Sequence, residues 1–143
     1  MKSLPQLPPV LIADDDPDGR FLTQRLLHKA GVTNPIVAVE NGEAAIAYLR
    51  STCPAAGGKR CQKPVAAFID IKMPVVDGFG VLRWARRKKA LRKMKIFMLS
   101  SSDLDADRGH AAELGADGYL VKYPTPETFS ELLRPTLLLA TAS

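Results

Sequence analysis

Cysteine, histidine and aromatic residues are scarce in this chain of 143 residues. The two cysteines, Cys53 and Cys61, lie in a stretch rich in Pro, Gly and Lys, without metal-ligating residues close by. We therefore predict two free thiols rather than a disulfide or a redox switch. The two histidines, His28 and His110, have no sequence neighbours that suggest catalysis, so we assign them to the surface or the core.

Long apolar runs are also lacking. No run approaches the roughly 20 residues that a helix needs to span a bilayer. Residues 1–5 lack the apolar centre of a signal peptide. The sequence predicts a soluble, cytoplasmic protein with no membrane association. Its length fits one domain, its hydrophobic content of 46% can supply a core, and it contains no internal repeat.

Four short apolar runs, at residues 10–13, 65–69, 96–99 and 119–121, each end at a side chain that can carry chemistry. Runs of this length are typical of buried strands. In order along the chain, the residues that follow them are Asp14 with Asp15, Asp70, Ser100 and Lys122. Because ligands of α/β proteins bind outside the carboxyl ends of parallel strands, we expect one edge of a sheet to collect these residues.

Three aspartates at one sheet edge would repel one another unless a cation lay among them. Carboxylate oxygens suit Mg²⁺, which keeps waters that a phosphate can replace. An ionised aspartate beside Mg²⁺ is a competent nucleophile toward a phosphoryl group. Ser100 can donate to a phosphoryl oxygen, and Lys122 can pair with it as a point charge.

Other interpretations of these residues stay open at this stage. Asp14 and Asp15 could belong to a helix-capping acidic cluster, a role that Asp16, next to Pro17, is expected to fill. Ser100 could be a strand-terminal hydroxyl bonded to the backbone. Tyr119 could be an ordinary core residue.

Four stretches, VLIADDDPDGR, AFIDIKMPVVDGF, IFMLSSSD and GADGYLVKYP, together make the chain resemble the receiver domain of two-component response regulators. The resemblance covers residues 9–139 and leaves 1–8 and 140–143 as tails. It implies a non-enzymatic signalling module that takes a phosphoryl group from a histidine kinase onto Asp70. The metal ligands implied for Mg²⁺ are Asp14, Asp15, Asp70 and the backbone carbonyl of Lys72. Ser100 and Lys122 would assist, and Tyr119 would be a switch aromatic that turns inward on phosphorylation.

The predicted fold is α/β, a doubly wound five-stranded parallel sheet flanked by helices, as in flavodoxin-like (βα)5 receivers. A helix is expected from Pro17 until Gly31, and Pro135 is expected to kink or break the last helix. The side chains predicted to face the core from the helices are Phe21, Leu22, Leu26, Leu27, Ala30, Ala45, Ile46, Leu49, Phe79, Val81, Leu82, Ala85, Phe129, Leu132 and Leu133.

A second class also forms an aspartyl phosphate with Mg²⁺, the phosphatases of the haloacid dehalogenase type. Proteins of that class have a strand that ends in Asp-x-Asp. In this chain Lys72, and not a second aspartate, stands two residues after Asp70, which disfavours that class. Within receivers, the long 51–64 loop and Lys122-Tyr123-Pro124 resemble stand-alone regulators that are paired with bacterial phytochromes. The family usually has a cis Lys-Pro bond where this chain has Lys122-Tyr123, so either a trans loop or a strained one remains possible.

Eight basic residues and no acidic one lie between positions 78 and 99. We interpret this run as a solvated face, able to aid an acidic protein partner, rather than as a DNA-binding surface, since the run has no recognition motif and holds one aromatic, Trp84. The resemblance to receivers implies as partners a sensor histidine kinase, such as a bacteriophytochrome, or a phosphotransfer protein. We also expect a homodimer through the face of helix four, strand five and helix five or through the leucines at 137–139.

Overall fold

In the computed structural model, residues 7–53 and 62–137 are described. Strands and helices alternate along these residues. The strands are β1 (Val10–Ala13), β2 (Ile36–Val39), β3 (Ala66–Asp70), β4 (Lys95–Ser100) and β5 (Gly118–Val121). The helices are α1 (Pro17–Lys29), α2 (Gly42–Thr52), α3 (Gly78–Arg86), α4 (Asp105–Leu114) and α5 (Pro126–Leu137), with a short 3₁₀ helix at Lys89–Leu91.

The five strands form one parallel sheet in the order β2-β1-β3-β4-β5. The order reverses direction at β1, the first strand, which lies between β2 and β3. Ala13 is in register with Ile69 of β3, and Asp70 is in register with Leu99 of β4. The residues that follow β1, β3 and β4 therefore emerge side by side, as the sequence predicted for a doubly wound sheet.

Alternate residues of the central strands fill two separate cores, one on each face of the sheet. Leu11, Ile69 and Met98 pack with residues of α2, α3 and α4. Phe68 and Leu99 point to the opposite face and pack with residues of α1 and α5. Because both faces are covered, the strands are apolar almost throughout, which explains the four uninterrupted runs in the sequence.

Side-chain caps fix where several helices begin. Asp16 accepts a hydrogen bond from the Asp18 backbone N–H at 3.1 Å and is followed by Pro17, so the predicted cap of α1 is present. Asn41 accepts from the Ala44 N–H at 2.7 Å at the start of α2. These bonds satisfy backbone donors that have no partner within the helix, and they set the direction in which each helix leaves the sheet edge.

The predicted core face of α1 was wrong at two positions. Phe21 is 63% exposed and Leu22 37% exposed, whereas Gly19, Thr23 and Leu27 are buried. The buried residues are spaced by four along α1, so the helix presents a different stripe to the sheet from the one that its largest apolar residues suggest. Phe21 instead lies beneath the guanidinium of Arg25, whose Cζ is 5.9 Å from the ring centroid.

The other helix predictions fared better, with one exception. The core side chains predicted for α2 and α3 are all buried or packed against the core. Phe129 and Leu133 of α5 are buried, and Leu132 packs against them. However, Pro135 does not end α5, which continues to Leu137. Since Pro135 lies in the last turn, its ring removes only one hydrogen bond near an end that frays in any case.

Two further expectations concern particular segments. Cys53 is a free, half-buried thiol, whereas Cys61 and the leucines at 138–139 lie outside the described residues. No helix within residues 7–53 and 62–137 is both long and apolar enough to cross a membrane.

Candidate phosphoacceptor site

Three aspartates converge where the central strands end. Asp14 follows β1 directly, Asp15 comes next, and Asp70 is the last residue of β3. One carboxylate oxygen from each lies within 4.8 Å of the other two. Asp14 and Asp70 are buried and Asp15 is exposed, so the cluster opens to solvent on one side. The structure thus brings together the three acidic residues that the sequence predicted as metal ligands.

Lys122, which directly follows the edge strand β5, binds two of these carboxylates. Its Nζ donates to Oδ2 of Asp14 at 2.9 Å and lies 3.4 Å from Oδ2 of Asp70. Its backbone N–H donates to the carbonyl of Ser100 at 2.8 Å. The lysine side chain is only 12% exposed, so its charge acts in an environment that water screens weakly.

The surroundings of Asp70 disfavour its ionised form and raise its pKa. Burial raises the pKa of Asp70 from 3.8 to about 6, against the opposing effect of the Lys122 charge. The pKa of about 6 is the net result, to which the Asp14 carboxylate contributes a rise and the hydrogen bonds from Lys122 and from the Lys72 backbone N–H contribute a decrease. Burial lowers the pKa of Lys122, but its hydrogen bond to Asp14 and the charge of Asp70 outweigh that effect, and the pKa lies above 10.5. A second cation at this cluster would relieve the repulsion between the carboxylates.

Two glycines allow the helices to approach the carboxylates closely. A Cβ at Gly19 would lie 2.5 Å from Oδ2 of Asp14. A Cβ at Gly78 would meet the backbone carbonyl of Asp70 equally closely. Asp14 is held further by the Asp16 N–H, which donates to its Oδ1 at 3.0 Å, and by Arg20, which donates to its carbonyl at 2.7 Å. The positions of Asp14 and Asp70 are therefore set by backbone packing as well as by charge.

Ser100 is the last residue of β4 and is 3% exposed. Its hydroxyl oxygen accepts a hydrogen bond from the Ser102 N–H at 3.0 Å, the backbone bond that the sequence left open as an alternative. This bond uses a lone pair and leaves the hydroxyl proton free to be donated.

Tyr119 of β5 is half-buried, and its hydroxyl donates to the carbonyl of Ser102 at 2.6 Å. Tyr119 and Ser100 thus contact the same residue of the loop between β4 and α4. The two predicted residues are connected through the backbone of that loop.

Tyr123 marks the departure from the family pattern noted in the sequence. The peptide bond between Lys122 and Tyr123 is cis. The Tyr123 hydroxyl packs over Gly19, since a Cβ built there would lie 3.2 Å from it. The phenol ring therefore covers α1 beside the acidic cluster.

A cavity of about 640 Å³ adjoins the acidic cluster, and Asp15, Lys72, Pro74, Asp77 and Asp107 line it. It is large enough for a phosphoryl group with the waters around a cation. Lys72, predicted to supply a backbone carbonyl to the metal, lies at its wall.

Comparison with known proteins assigns the fold and site to a family. The model of the family described as the response regulator receiver domain matches residues 10–134. The chain belongs to this receiver family.

One relative of this receiver is a longer regulatory protein. The chain is 33% identical over 129 residues to the alkaline phosphatase synthesis transcriptional regulatory protein SphR of Synechococcus elongatus, with 85% of this chain matched. The receiver spans 48% of that relative, about half its length.

Among solved structures, the bacteriophytochrome response regulator AtBRR is 29% identical, with 94% of this chain and 95% of that chain covered and a TM-score of 0.77. The bacteriophytochrome response regulator RtBRR is 28% identical and has a TM-score of 0.75. The match covers 92% of this chain and 78% of the RtBRR chain. The predictions of a receiver and of its five-stranded fold are confirmed.

Several residues that shape the receiver site escaped the sequence analysis. Gly19 and Arg20 fix Asp14, and Arg108 packs over Tyr119. A glycine inside a predicted helix is a weak signal of close backbone approach, and Gly19 carried that signal. Arg108 carried none, because its contact depends on how α4 packs against β5.

Proposed function

We propose that this chain is a single-domain response regulator that accepts a phosphoryl group from a phosphohistidine onto Asp70 and signals through a protein partner. The observation that carries the proposal is the position of Asp70, whose carboxylate lies beside those of Asp14 and Asp15 and 3.4 Å from the Lys122 ammonium. An ion pair alone does not require three aspartates. A cation held among them, with waters that a phosphoryl group can replace, accounts for the cluster.

The proposed transfer moves one phosphoryl group between two side chains. A carboxylate oxygen of Asp70 attacks phosphorus, a P–O bond forms and the P–N bond to the donor imidazole breaks. The electron pair leaves with the imidazole nitrogen, which takes a proton from solvent. With a pKa of about 6, Asp70 is mostly ionised at neutral pH and can act as the nucleophile.

The residues present fit Mg²⁺, because the carboxylate oxygens of Asp14, Asp15 and Asp70 form a compact set of hard ligands that opens to solvent. We assign these three residues, with the Lys72 carbonyl, to the cation. When bound, Mg²⁺ would neutralise charge on the phosphoryl oxygens. Lys122, 3.4 Å from Asp70, would neutralise further charge, and the hydroxyl of Ser100 is available as a donor.

For the readout, we propose that Ser100 and Tyr119 couple the phosphoryl group to the face of α4, β5 and α5. Both contact Ser102, so a movement of Ser100 toward the phosphoryl group would alter the loop that the Tyr119 hydroxyl binds. Such a change shifts the balance between two conformations. We propose that the same face, or the leucines at 137–139, forms a homodimer.

For the partner, we propose a sensor histidine kinase of the bacteriophytochrome type or a phosphotransfer protein. The support is the likeness to AtBRR, which matches this chain over 94% of its length. Receiver domains in general are signalling domains, and we propose no enzymatic activity and no direct DNA binding for this chain.

The test is phosphorylation by a small-molecule phosphodonor with Mg²⁺, followed by mapping of the acid-stable, base-labile phosphate. We expect one phosphoryl group on Asp70, none in Asp70→Asn, and wild-type uptake in Asp18→Asn, which changes an exposed aspartate of α1. Uptake by Asp70→Asn at the wild-type rate would refute the assignment. Labelling that persists at the wild-type rate when Mg²⁺ is chelated would refute the metal site.

A further inference from the structure

A basic cleft lies at the amino ends of the strands, on the edge of the sheet opposite Asp70. Its volume is about 610 Å³. It is bounded by Pro8 before β1, by residues 63–65 before β3, and by residues around the 3₁₀ helix Lys89–Leu91. The five residues of β3 separate it from the phosphoacceptor edge, a span of about 16 Å. A ligand in the cleft would leave the acidic cluster uncovered.

The walls of the cleft are apolar and its rim is cationic. Val65, Ala90 and Met94 contribute apolar surface. The charged residues of the lining are Lys63, Lys89, Arg92 and Lys93, and no acidic side chain lines the cleft within the part of the chain that the structure describes.

The basic run divides into cations that hold the fold together and cations that do not. Arg86 binds Asp117 at 2.7 Å and donates to four backbone carbonyls of the surrounding loops, and Lys95 lies 3.8 Å from the same aspartate. Lys88 lies over the ring of Trp84, 5.1 Å from its centroid. These three residues have structural partners.

The cations at the rim of the cleft are among those that do not hold the fold together. Among the ion pairs between described residues, none involves Lys63, Lys89, Arg92 or Lys93. The last three are exposed. Like charges placed together without acidic partners weaken the fold slightly, so the fold itself does not account for them.

We propose that this basic cleft binds an acidic segment of a protein partner that also carries an apolar side chain. The apolar walls match an aliphatic side chain, and the four cations match carboxylates on either side of it. A nucleic acid fits less well, because none of the described residues that line the cleft is an aromatic on which a base could stack. Docking here would hold the partner while Asp70 remains open to its phosphodonor.

The probe for this proposal is a fluorescein-labelled peptide, Asp-Glu-Glu-Leu-Glu-Asp-Glu, with a second peptide in which serine replaces leucine. The full ¹⁵N-labelled chain is titrated with each. We expect shifts of the amides of Lys63, Val65 and residues 89–94, and weaker binding of the serine peptide. Amide shifts of equal size at basic residues outside the cleft would overturn the proposal. Equal binding of the two peptides would also overturn it.

Matched variants separate the cleft from overall charge. Lys89→Gln/Arg92→Gln/Lys93→Gln should weaken peptide binding by about tenfold or more. Arg25→Gln/Lys29→Gln/Arg83→Gln removes three exposed cations elsewhere and should change it by less than about twofold. Ala90→Phe fills the cleft without changing charge and should abolish binding. Equal losses in the two triple variants, or full binding by folded Ala90→Phe, would contradict the proposal.

Three other occupants of the cleft are distinguished in the same experiments. Tighter binding of single-stranded oligothymidine than of the peptide, lost in Ala90→Phe, would assign the cleft to nucleic acid. Much tighter peptide binding by a chain that begins at Leu7 would assign it to residues 1–6. Self-association that Ala90→Phe abolishes would assign it to a second copy. Each of these results would overturn the proposal, and none of them bears on phosphorylation of Asp70.

Discussion

The guanidinium of Arg108 lies over the ring of Tyr119, with its Cζ 4.8 Å from the ring centroid. The same guanidinium pairs with Asp103 at 2.6 Å. The Tyr119 hydroxyl, in turn, donates to the carbonyl of Ser102. A residue of α4 therefore holds an aromatic side chain of β5 against the loop after β4.

We expect Arg108→Ala to release Tyr119 from this position. A cation–π contact is worth about 0.5–1 kcal/mol at a partly exposed site, so the ratio of rings in this position to rings released from it should fall about two- to fivefold. ¹⁹F NMR of the 3-fluorotyrosine-labelled chain, assigned with Tyr119→Phe, measures this ratio. Arg25→Ala, which removes the contact with Phe21, is the matched control. An unchanged Tyr119 signal in Arg108→Ala would show that the arginine does not hold the ring.

Gly19→Ala should weaken Mg²⁺ binding. The added Cβ would lie 2.5 Å from Oδ2 of Asp14, and this carboxylate would have to move away from the cluster. We expect a loss of about tenfold in affinity by calorimetric titration, equivalent to about 1.4 kcal/mol.

Gly109→Ala is the control for this change. Gly109 also lies inside a helix, but a Cβ there has nothing within 4 Å. It should leave Mg²⁺ affinity unchanged and stabilise the fold by about 0.5–1 kcal/mol. Equal Mg²⁺ affinities in the two variants would contradict the role assigned to the packing of Gly19 against Asp14.

The raised pKa of Asp70 makes the metal-free protein less stable as the pH rises. Between about 4 and 6 the folded state retains a proton that the unfolded state has lost, because the pKa is about 6 in the fold and 3.8 otherwise. The free energy of unfolding therefore falls with increasing pH through this window. Asp70→Asn removes the effect, so it should exceed wild type in stability by about 2–3 kcal/mol at pH 7.5 and by little at pH 4.

Urea denaturation with EDTA at several pH values measures this difference, and Asp18→Asn serves as the control. Added Mg²⁺ should close the gap at pH 7.5 by stabilising only the wild type. A gap that stays constant from pH 4 to 7.5 would mean that Asp70 has no raised pKa.

Val75 has a φ of 69° in the loop between β3 and α3, where the Val76 N–H donates to the Pro74 carbonyl at 2.8 Å. A β-branched residue is strained in this region, whereas asparagine adopts it more readily. Val75 is 79% exposed, so little packing is lost on substitution. We expect Val75→Asn to stabilise the fold by about 1 kcal/mol in thermal unfolding.

Gly31→Ala provides the opposite test. Gly31 has a φ of 96° and a Cβ there would contact nothing, so only backbone strain changes. It should destabilise the fold by about 1 kcal/mol. Loss of stability in Val75→Asn would indicate that the valine side chain makes a contact worth more than the strain.

The grouping of the candidate site residues was predictable because each stands at the end of an apolar strand. Asp14, Asp70 and Lys122 were located by strand ends alone, and the parallel topology brought them together. The helix faces were harder, since Phe21 and Leu22 have the composition of core residues but lie outside the stripe set by Gly19, Thr23 and Leu27. The contact between Arg108 and Tyr119 depends on the packing of two elements, which local patterns do not specify.

The bond between Lys122 and Asp14 joins residues 108 positions apart. It links the end of the first strand to the end of the last, with Asp70 between them on the central strand. No shorter part of the chain contains all three groups. During synthesis, the ability to accept a phosphoryl group at full rate would therefore appear only after β5 has left the ribosome and paired with β4. If the proposed function holds, phosphorylation competence would also report that β5 has joined the sheet.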